Sequence, residues 1–264
     1  MSDCQTNPDV TTCNGFFAAI SVFPLAFTPV RASVAQDMTP GCASLIESFF
    51  SPDRCSLKIC GITTAADAQG LVDEKVAALG VNFWPLSKRY IDPDDAAAWL
   101  LAVSGSILRV GVFVNAETDF IAELYGRGLI DVAQLHGDEC PSEMQLLLDR
   151  GIPCIKALGI HDANDLLSLK EYSNAQALLL DTAAPGVYGG TGSAFDWSLA
   201  IDAQMRMPSM PILLAGGISP ENAGSAIDRV HPAAVDIASG AEISPGIKDM
   251  RKVRELQAIV TQKK

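Results

Sequence analysis

The sequence predicts an α/β protein with a single (β/α)8 barrel, the TIM-barrel class, preceded by a poorly ordered N-terminal extension. Apolar strand-like segments alternate with helix-like segments eight times after residue 55, a pattern typical of a parallel sheet covered on its faces. Hydrophobic residues form 48% of the 264 residues, so a large core can be buried. Polar and glycine-rich residues follow the apolar segments, as at the carboxyl ends of barrel strands.

The helices are predicted from their start signals, and the strands from runs of apolar, β-rich residues. Thr64 is placed to cap the first helix, and Asp92 and Ser219 each precede a proline at a first helical position. The predicted strands are 57–60, 79–83, 108–114, 131–135, 154–158, 177–180, 212–215 and 234–237. The predicted helices are 65–77, 94–103, 119–125, 141–150, 162–171, 197–204, 221–229 and 247–261.

Residues 1–54 are predicted to be an irregular extension, and residues 55–264 the barrel domain. The apolar run 15–23 has no basic residue before it, and Pro24 and Pro29 interrupt it well short of a membrane span. Targeting or partner binding is the alternative for the extension. A chain beginning at about residue 54 is therefore expected to fold and keep its kcat/KM.

The composition limits the class of partner. A formal net charge of -12 argues against nucleic acid and anionic membrane surfaces as partners. A small phosphorylated substrate would then need local positive potential, from helix N-termini or a single Arg or Lys. Seven cysteines without paired spacing, with only three histidines, are typical of a reducing cytoplasm rather than a disulfide framework or a metal site. Both a monomer and a homodimer are compatible with the sequence.

Cys60 is the first candidate for a catalytic residue. It ends the first predicted strand, directly before Gly61, where parallel α/β proteins place their chemistry. Lys58, two residues earlier, supplies a cation that favours a thiolate. The alternative is that Cys60 packs in the core as a small hydrophobe, as free cysteines usually do.

Other strand ends supply further candidates, each with an alternative. Arg89 can bind a substrate carboxylate, or be a solvated loop cation. Gln134 and His136 end the fourth strand, where His136 forms a wall of the site or a structural hydrogen bond. Asp181 follows three leucines, so burial can raise its pKa, although acidic residues also cap loops.

Small residues predict a phosphate site in the later loops. Loops after strands seven and eight of barrels often bind phosphate, and glycine lets backbone N–H groups approach an anion. The candidates are Gly189, Gly190, Gly216, Gly217, Ser239 and Gly240.

Taken together, these motifs resemble the phosphoribosylanthranilate isomerase family from about residue 56 to the C-terminus. The resemblance is carried by Lys58-Ile59-Cys60-Gly61, Ser87-Lys88-Arg89-Tyr90, Gln134-Leu135-His136-Gly137, Gly189-Gly190-Thr191-Gly192, Ala215-Gly216-Gly217-Ile218 and Ser239-Gly240 with Glu242 and Lys248-Asp249. It implies a TIM barrel of tryptophan biosynthesis that needs no cofactor and no metal. It also implies that Cys60 is the general base, Asp181 the general acid, Arg89 the contact to the anthranilate carboxylate, and the glycine-rich loops the phosphate cradle.

The implied reaction is an Amadori rearrangement of N-(5-phosphoribosyl)anthranilate by one acid and one base. The sequence departs from the family pattern around 75–77, which affects a turn at the bottom of the barrel. It also has Ala238 where Ser is common in the family, which affects one hydroxyl contact. The alternatives are a sister phosphosugar barrel, such as an indole-glycerol-phosphate synthase or a sugar-phosphate epimerase, and a non-catalytic phosphosugar-binding protein. Neither alternative needs Cys60, Arg89 and Asp181 together.

Overall fold

The computed structural model describes residues 40–51, 53–182 and 196–263, and it confirms the predicted (β/α)8 barrel. Eight parallel strands pair in chain order, and β8 closes the barrel by pairing with β1, so that Ala234 lies opposite Ser56. The strands are β1 Ser56–Cys60, β2 Ala78–Asn82, β3 Leu108–Phe113, β4 Val132–Leu135, β5 Cys154–Ile160, β6 Ala177–Thr182, β7 Ile212–Leu214 and β8 Ala234–Ile237. The helices are α1 Pro40–Phe49, α2 Ala65–Asp73, α3 Pro93–Ala102, α4 Thr118–Gly126, α5 Pro141–Asp149, α6 Trp197–Arg206, α7 Pro220–Val230 and α8 Met250–Gln262.

The predicted capping side chains of Thr64 and Asp92 are confirmed by their hydrogen bonds, and the start of α7 after Ser219 is held by a backbone N–H of that residue. The Thr64 side chain accepts from the Asp67 N–H at 3.1 Å, and that of Asp92 accepts from the Asp94 N–H at 2.9 Å. Before α7, the Ser219 N–H donates to Asn222 Oδ1 at 2.9 Å. Each cap satisfies backbone groups that a helix end leaves unpaired, which fixes where the loops above the strands end.

Three predicted helices differ in the structure. The α2 helix ends at Asp73 rather than 77, because Lys75 takes a left-handed φ of 59°. The element after β5 is a 3-10 helix, Asp165–Tyr172, instead of an α-helix over 162–171. The last helix begins at Met250, not 247, because β10, Ile247–Lys248, pairs with β9, Glu242–Ser244, in a small antiparallel ribbon.

The α1 helix was not predicted. The sequence was expected to be irregular before residue 55, yet Pro40–Phe49 is helical and packs against the barrel. Ile46 and Phe49 are three residues apart and share one face, and both are buried. The expectation for residues 1–39 lies outside the described residues. We propose that the folded domain begins with α1 rather than at residue 55.

The side chains inside the barrel follow the alternation of the strands. Val112 and Asp236 line a cavity at the carboxyl ends, so Val110 and Ala234, two residues earlier, face the interior below it. Phe49 joins this interior cluster beside the first residues of several strands. The α1 helix therefore closes the amino end of the barrel, opposite the cavity. Within the described part of the chain, no helix has the length and apolar character needed to cross a bilayer.

Candidate active site

The site lies in the cavity at the carboxyl ends of the strands, as the sequence predicted. Seven of the eight strands or the loops after them contribute to its lining, so the barrel brings together residues far apart in the chain. The predicted residues that line it are Cys60, Arg89, His136, Asp181, Gly216, Gly217 and Ser239.

Cys60 is held at the end of β1 by the turn that follows it. Gly61 has a φ of +79°, and its N–H donates to the Gly80 carbonyl at 2.9 Å, which ends the strand. A Cβ placed on Gly80 would lie 2.8 Å from Cys60 Sγ and 3.0 Å from Lys58 Nζ. The absence of a side chain at Gly80 thus leaves space in which the thiol and the ammonium group lie close together. Core packing alone does not describe this cysteine, which is only partly buried.

Opposing electrostatic effects act on the Cys60 thiol. Burial raises its pKa, Lys58 and Lys248 lower it, and Asp236 raises it, and in sum the pKa lies above the ordinary value for a thiol. Lys58 Nζ is fully buried and donates to both carboxylate oxygens of Asp236 at 2.8 Å. Lys58 lowers the pKa of the Cys60 thiol, as predicted, but burial outweighs this effect.

Asp181 faces the same cavity from the end of β6. Its side chain is 8% exposed, and its Oδ1 accepts from the Thr182 N–H at 2.7 Å. The other oxygen lies 3.5 Å from His136 Nε2. Gly216, with a φ of +82°, approaches so closely that a Cβ there would lie 3.0 Å from Asp181 Oδ1. A buried carboxyl group with one oxygen open to a neighbouring donor is suited to proton transfer.

His136 and Gln134 form a pair behind Asp181. Gln134 Nε2 lies 3.2 Å from His136 Nδ1, and Gln134 is fully buried rather than part of the cavity lining. The contact at Nδ1 fixes the plane of the imidazole ring, and Nε2 is the ring nitrogen that faces Asp181. The structure thus places Gln134, predicted as a substrate contact, where it orients His136.

Arg89 reaches the cavity from the loop after β2. Its Nε and Nη2 each donate to Glu242 at 2.7 Å, and its side chain is 17% exposed. It is therefore not a solvated loop cation. Glu242 also accepts from Lys248 Nζ at 2.8 Å, and Lys248 Nζ donates to the Cys60 carbonyl at 2.6 Å.

The loops after β7 and β8 form one wall of small residues. Gly216 and Gly217 both have positive φ, of 82° and 65°. Gly240 lies so close to the Ile218 carbonyl that no side chain fits between them. Ser239 joins the lining, and the α7 helix begins directly beyond this wall. Gly189 and Gly190, predicted for the same phosphate site, lie outside the described residues.

The sequence did not assign roles to Asp236, Glu242 or Lys248. Asp236 stands on an otherwise apolar strand, and a buried charge of this kind needs a partner. Glu242 and Lys248 appeared only as matches to the family pattern. Their partners, Arg89 and the Cys60 carbonyl, become visible once the barrel closes.

Residues 57–258 match the sequence model of the family described as N-(5'phosphoribosyl)anthranilate (PRA) isomerase. Two relatives named N-(5'-phosphoribosyl)anthranilate isomerase are each 42% identical to this chain. The one from Citrifermentans bemidjiense aligns over 202 residues, covering 76% of this chain and 95% of that protein. The one from Acidithiobacillus ferrooxidans aligns over 207 residues, covering 77% and 96%.

Solved structures give the same result. Phosphoribosyl anthranilate isomerase from Thermotoga maritima is 37% identical to this chain, with a TM-score of 0.72. The alignment covers 79% of this chain and 99% of the Thermotoga maritima chain. A phosphoribosyl anthranilate isomerase in complex with reduced 1-(o-carboxyphenylamino)-1-deoxyribulose 5-phosphate is 36% identical, with a TM-score of 0.70 and the same coverage.

Proposed function

The chain belongs to the N-(5'-phosphoribosyl)anthranilate isomerase family of tryptophan biosynthesis, and we propose that Cys60 and Asp181 are its general base and general acid. One observation carries this assignment. The two side chains enter one cavity from β1 and β6, and that cavity also contains Arg89 and the small-residue wall after β7 and β8. Isomerisation of N-(5'-phosphoribosyl)anthranilate requires a proton donor and a proton acceptor for the chemistry. It also requires a cation for the carboxylate and backbone groups that can bind the phosphate.

The proposed reaction converts N-(5'-phosphoribosyl)anthranilate to 1-(2-carboxyphenylamino)-1-deoxyribulose 5-phosphate. Asp181 gives its proton to the furanose oxygen, and the ring opens as the anthranilate nitrogen forms a Schiff base with C1. The Cys60 thiolate then takes the proton from C2, giving an enolamine. That intermediate tautomerises to the ketone as C1 gains a proton, which Cys60 returns, and the C2 hydroxyl loses one, which restores Asp181. Substrate and enzyme therefore end with no net gain or loss of protons.

The cavity supports the thiolate at the moment it is needed. Burial holds the Cys60 pKa above its ordinary value, but Lys58 and Lys248 both favour the negative sulfur. Substrate closing the cavity removes water and strengthens these interactions. Asp236, which holds Lys58, remains ion-paired to it.

The rest of the cavity is assigned to binding. Arg89 contacts the anthranilate carboxylate, and His136 forms the wall beside Asp181. The phosphate is proposed to lie against the backbone of Gly216, Gly217, Ser239 and Gly240. Gly216 and Gly217 have positive φ and line the cavity with Ser239, and Gly240 packs directly against the Ile218 carbonyl beside them. Gly189 and Gly190 are proposed to complete this cradle.

The free thiol of Cys60 also bears on where the enzyme works. A base of this kind must stay reduced, so we place the enzyme in the cytoplasm. The Thermotoga maritima enzyme is described as dimeric; for this chain we propose a monomer or a homodimer, which sedimentation of the purified chain distinguishes.

Separate variants test the two catalytic assignments. Cys60→Ser and Asp181→Asn are each expected to lower kcat/KM by about 10²–10⁴-fold, the usual contribution of positioned proton transfer. Cys140→Ser is the matched control, because Cys140 is exposed and outside the cavity lining, and it should keep wild-type kcat/KM. Circular dichroism checks that each variant is folded. A folded Cys60 or Asp181 variant with more than about a tenth of the wild-type rate would remove that residue from the mechanism.

A further inference from the structure

Glu242 is the centre of the most connected charged cluster at the cavity. Its side chain is 5% exposed, and its carboxylate accepts four hydrogen bonds. Two come from Arg89 at 2.7 Å, one from Lys248 Nζ at 2.8 Å and one from the Gly246 N–H at 3.1 Å. The donors belong to the loop after β2 and to the β9–β10 ribbon. Glu242 thus joins two segments that are far apart in the sequence.

The donors around this carboxylate favour its charged form. Burial raises its pKa, but hydrogen bonds from Arg89 and Lys248 outweigh that effect and lower it to about 2. A charged carboxylate at this place gives Arg89 a fixed partner on two of its donor atoms.

The pairing determines which part of Arg89 is left for a ligand. Glu242 occupies the Nε and Nη2 edge of the guanidinium group, so Nη1 and the second Nη2 hydrogen form the edge that remains. A side chain at Gly61 would overlap the Arg89 stem, so the arginine crosses directly over the residue after Cys60. Lys248, bound to the same carboxylate, holds the Cys60 carbonyl. One anion therefore connects Arg89, at the binding end of the cavity, with the backbone of Cys60 through Lys248.

We propose that Glu242 is a positioning residue that orients Arg89, so that the substrate carboxylate binds the remaining edge of the guanidinium group while C2 of the sugar lies at Cys60. The proposal rests on the function assigned above, because it takes the ligand of Arg89 to be the anthranilate carboxylate. It makes Glu242 a determinant of specificity for the carboxylated substrate, although Glu242 need not touch that substrate.

A pair of substrates separates this role from general support of the fold. N-(5'-phosphoribosyl)anthranilate carries the carboxylate, and N-(5'-phosphoribosyl)aniline lacks it. The measured quantity is the ratio of kcat/KM for the first over the second. In Glu242→Gln this ratio should fall by roughly 10- to 100-fold, the range that charge-assisted hydrogen bonds span, chiefly through a higher KM for the carboxylated substrate. A purely structural role would lower both values of kcat/KM equally.

Two further variants complete the test. Glu242→Asp keeps the buried charge, and with it the folded state, but withdraws the carboxylate by one methylene group, so the ratio should again fall. Ile243→Ala is the matched control, because Ile243 is the exposed neighbour in the same ribbon, and it should leave the ratio unchanged. Wild-type ratios in folded Glu242→Gln and Glu242→Asp would overturn the proposal.

Arg89→Ala distinguishes this proposal from the function on which it rests. Loss of the preference for the carboxylated substrate in Arg89→Ala, with the preference kept in both Glu242 variants, would refute the positioning role alone. Retention of the preference in Arg89→Ala would refute the assignment of Arg89 itself, and the Glu242 proposal with it.

Discussion

Phe49→Ala tests whether α1 is part of the folded barrel. Phe49 is 1% exposed, lies in the interior cluster at the amino end of the strands, and packs against Phe50 with ring centroids 4.9 Å apart. Truncating a fully buried phenylalanine costs about 3–5 kcal/mol of unfolding free energy, from lost burial and the cavity left behind. For a domain of this size, that is a decrease in Tm of roughly 6–20 °C. The active site lies at the opposite end of the barrel, so kcat/KM should not change below the transition.

Urea unfolding followed by circular dichroism measures this loss, with kcat/KM measured on the same preparation. Glu47→Ala is the matched control: Glu47 is an exposed residue of the same helix, so its replacement should change stability by less than about 0.5 kcal/mol. If Phe49→Ala cost less than about 1 kcal/mol, the ring would not be buried as the structure has it. A simultaneous loss of kcat/KM would show that the amino end of the barrel is coupled to the cavity.

Three further results are expected. The active form has a Cys60 thiolate and a protonated Asp181, so the pH profile of kcat/KM should be bell-shaped, and its alkaline limb follows the higher of the two pKa values. Burial raises the pKa of the Cys60 thiol, so this limb should lie at or above a pH of about 8.5, and an alkaline limb well below that value would contradict the assignment. Gly80→Ala should lower kcat by about tenfold or more with the fold intact, because the new methyl group would lie 2.8 Å from Cys60 Sγ; unchanged steady-state kinetics would show that the thiol has room to move. A chain beginning at residue 54 should keep its kcat/KM but unfold at a lower urea concentration than the full chain, because it lacks α1; equal midpoints would return the domain boundary to residue 55.

The regular part of the fold was predictable because its signals are local. The apolar segments and the caps at Thr64, Asp92 and Ser219 lie within a few residues of what they determine. The α1 helix is not predicted because only Ile46 and Phe49 are buried among the side chains that the structure describes in this helix, which is too few residues for a clear helical pattern. The residues that α1 packs against lie on strands far away in the sequence. The last helix begins three residues after the predicted residue 247, because Ile247 and Lys248 pair with β9, a tertiary contact that overrides helix periodicity.

The candidate site likewise contains residues that the sequence predicts and partners that only the folded structure reveals. Cys60 and Asp181 were identifiable because each ends a strand, and in a barrel all strand ends of one direction meet. The partners of Lys58 and Arg89 were not identifiable, because Asp236 and Glu242 lie 178 and 153 residues away along the chain. Only closure of β8 onto β1 brings these pairs together. The position of Gln134 behind His136 likewise depends on a side-chain contact that no sequence pattern specifies.

The most direct measurement is the turnover of N-(5'-phosphoribosyl)anthranilate by the purified full chain, followed by the loss of anthranilate-type fluorescence. The wild-type chain should consume the substrate at a rate proportional to protein concentration. The Cys60→Ser/Asp181→Asn double variant is measured at the same concentration, after its circular dichroism spectrum is shown to match that of the wild type. With this variant, the fluorescence should decrease at a rate close to the rate without protein. A folded wild-type chain that leaves the substrate unchanged, or a double variant that consumes it at the wild-type rate, would contradict the account.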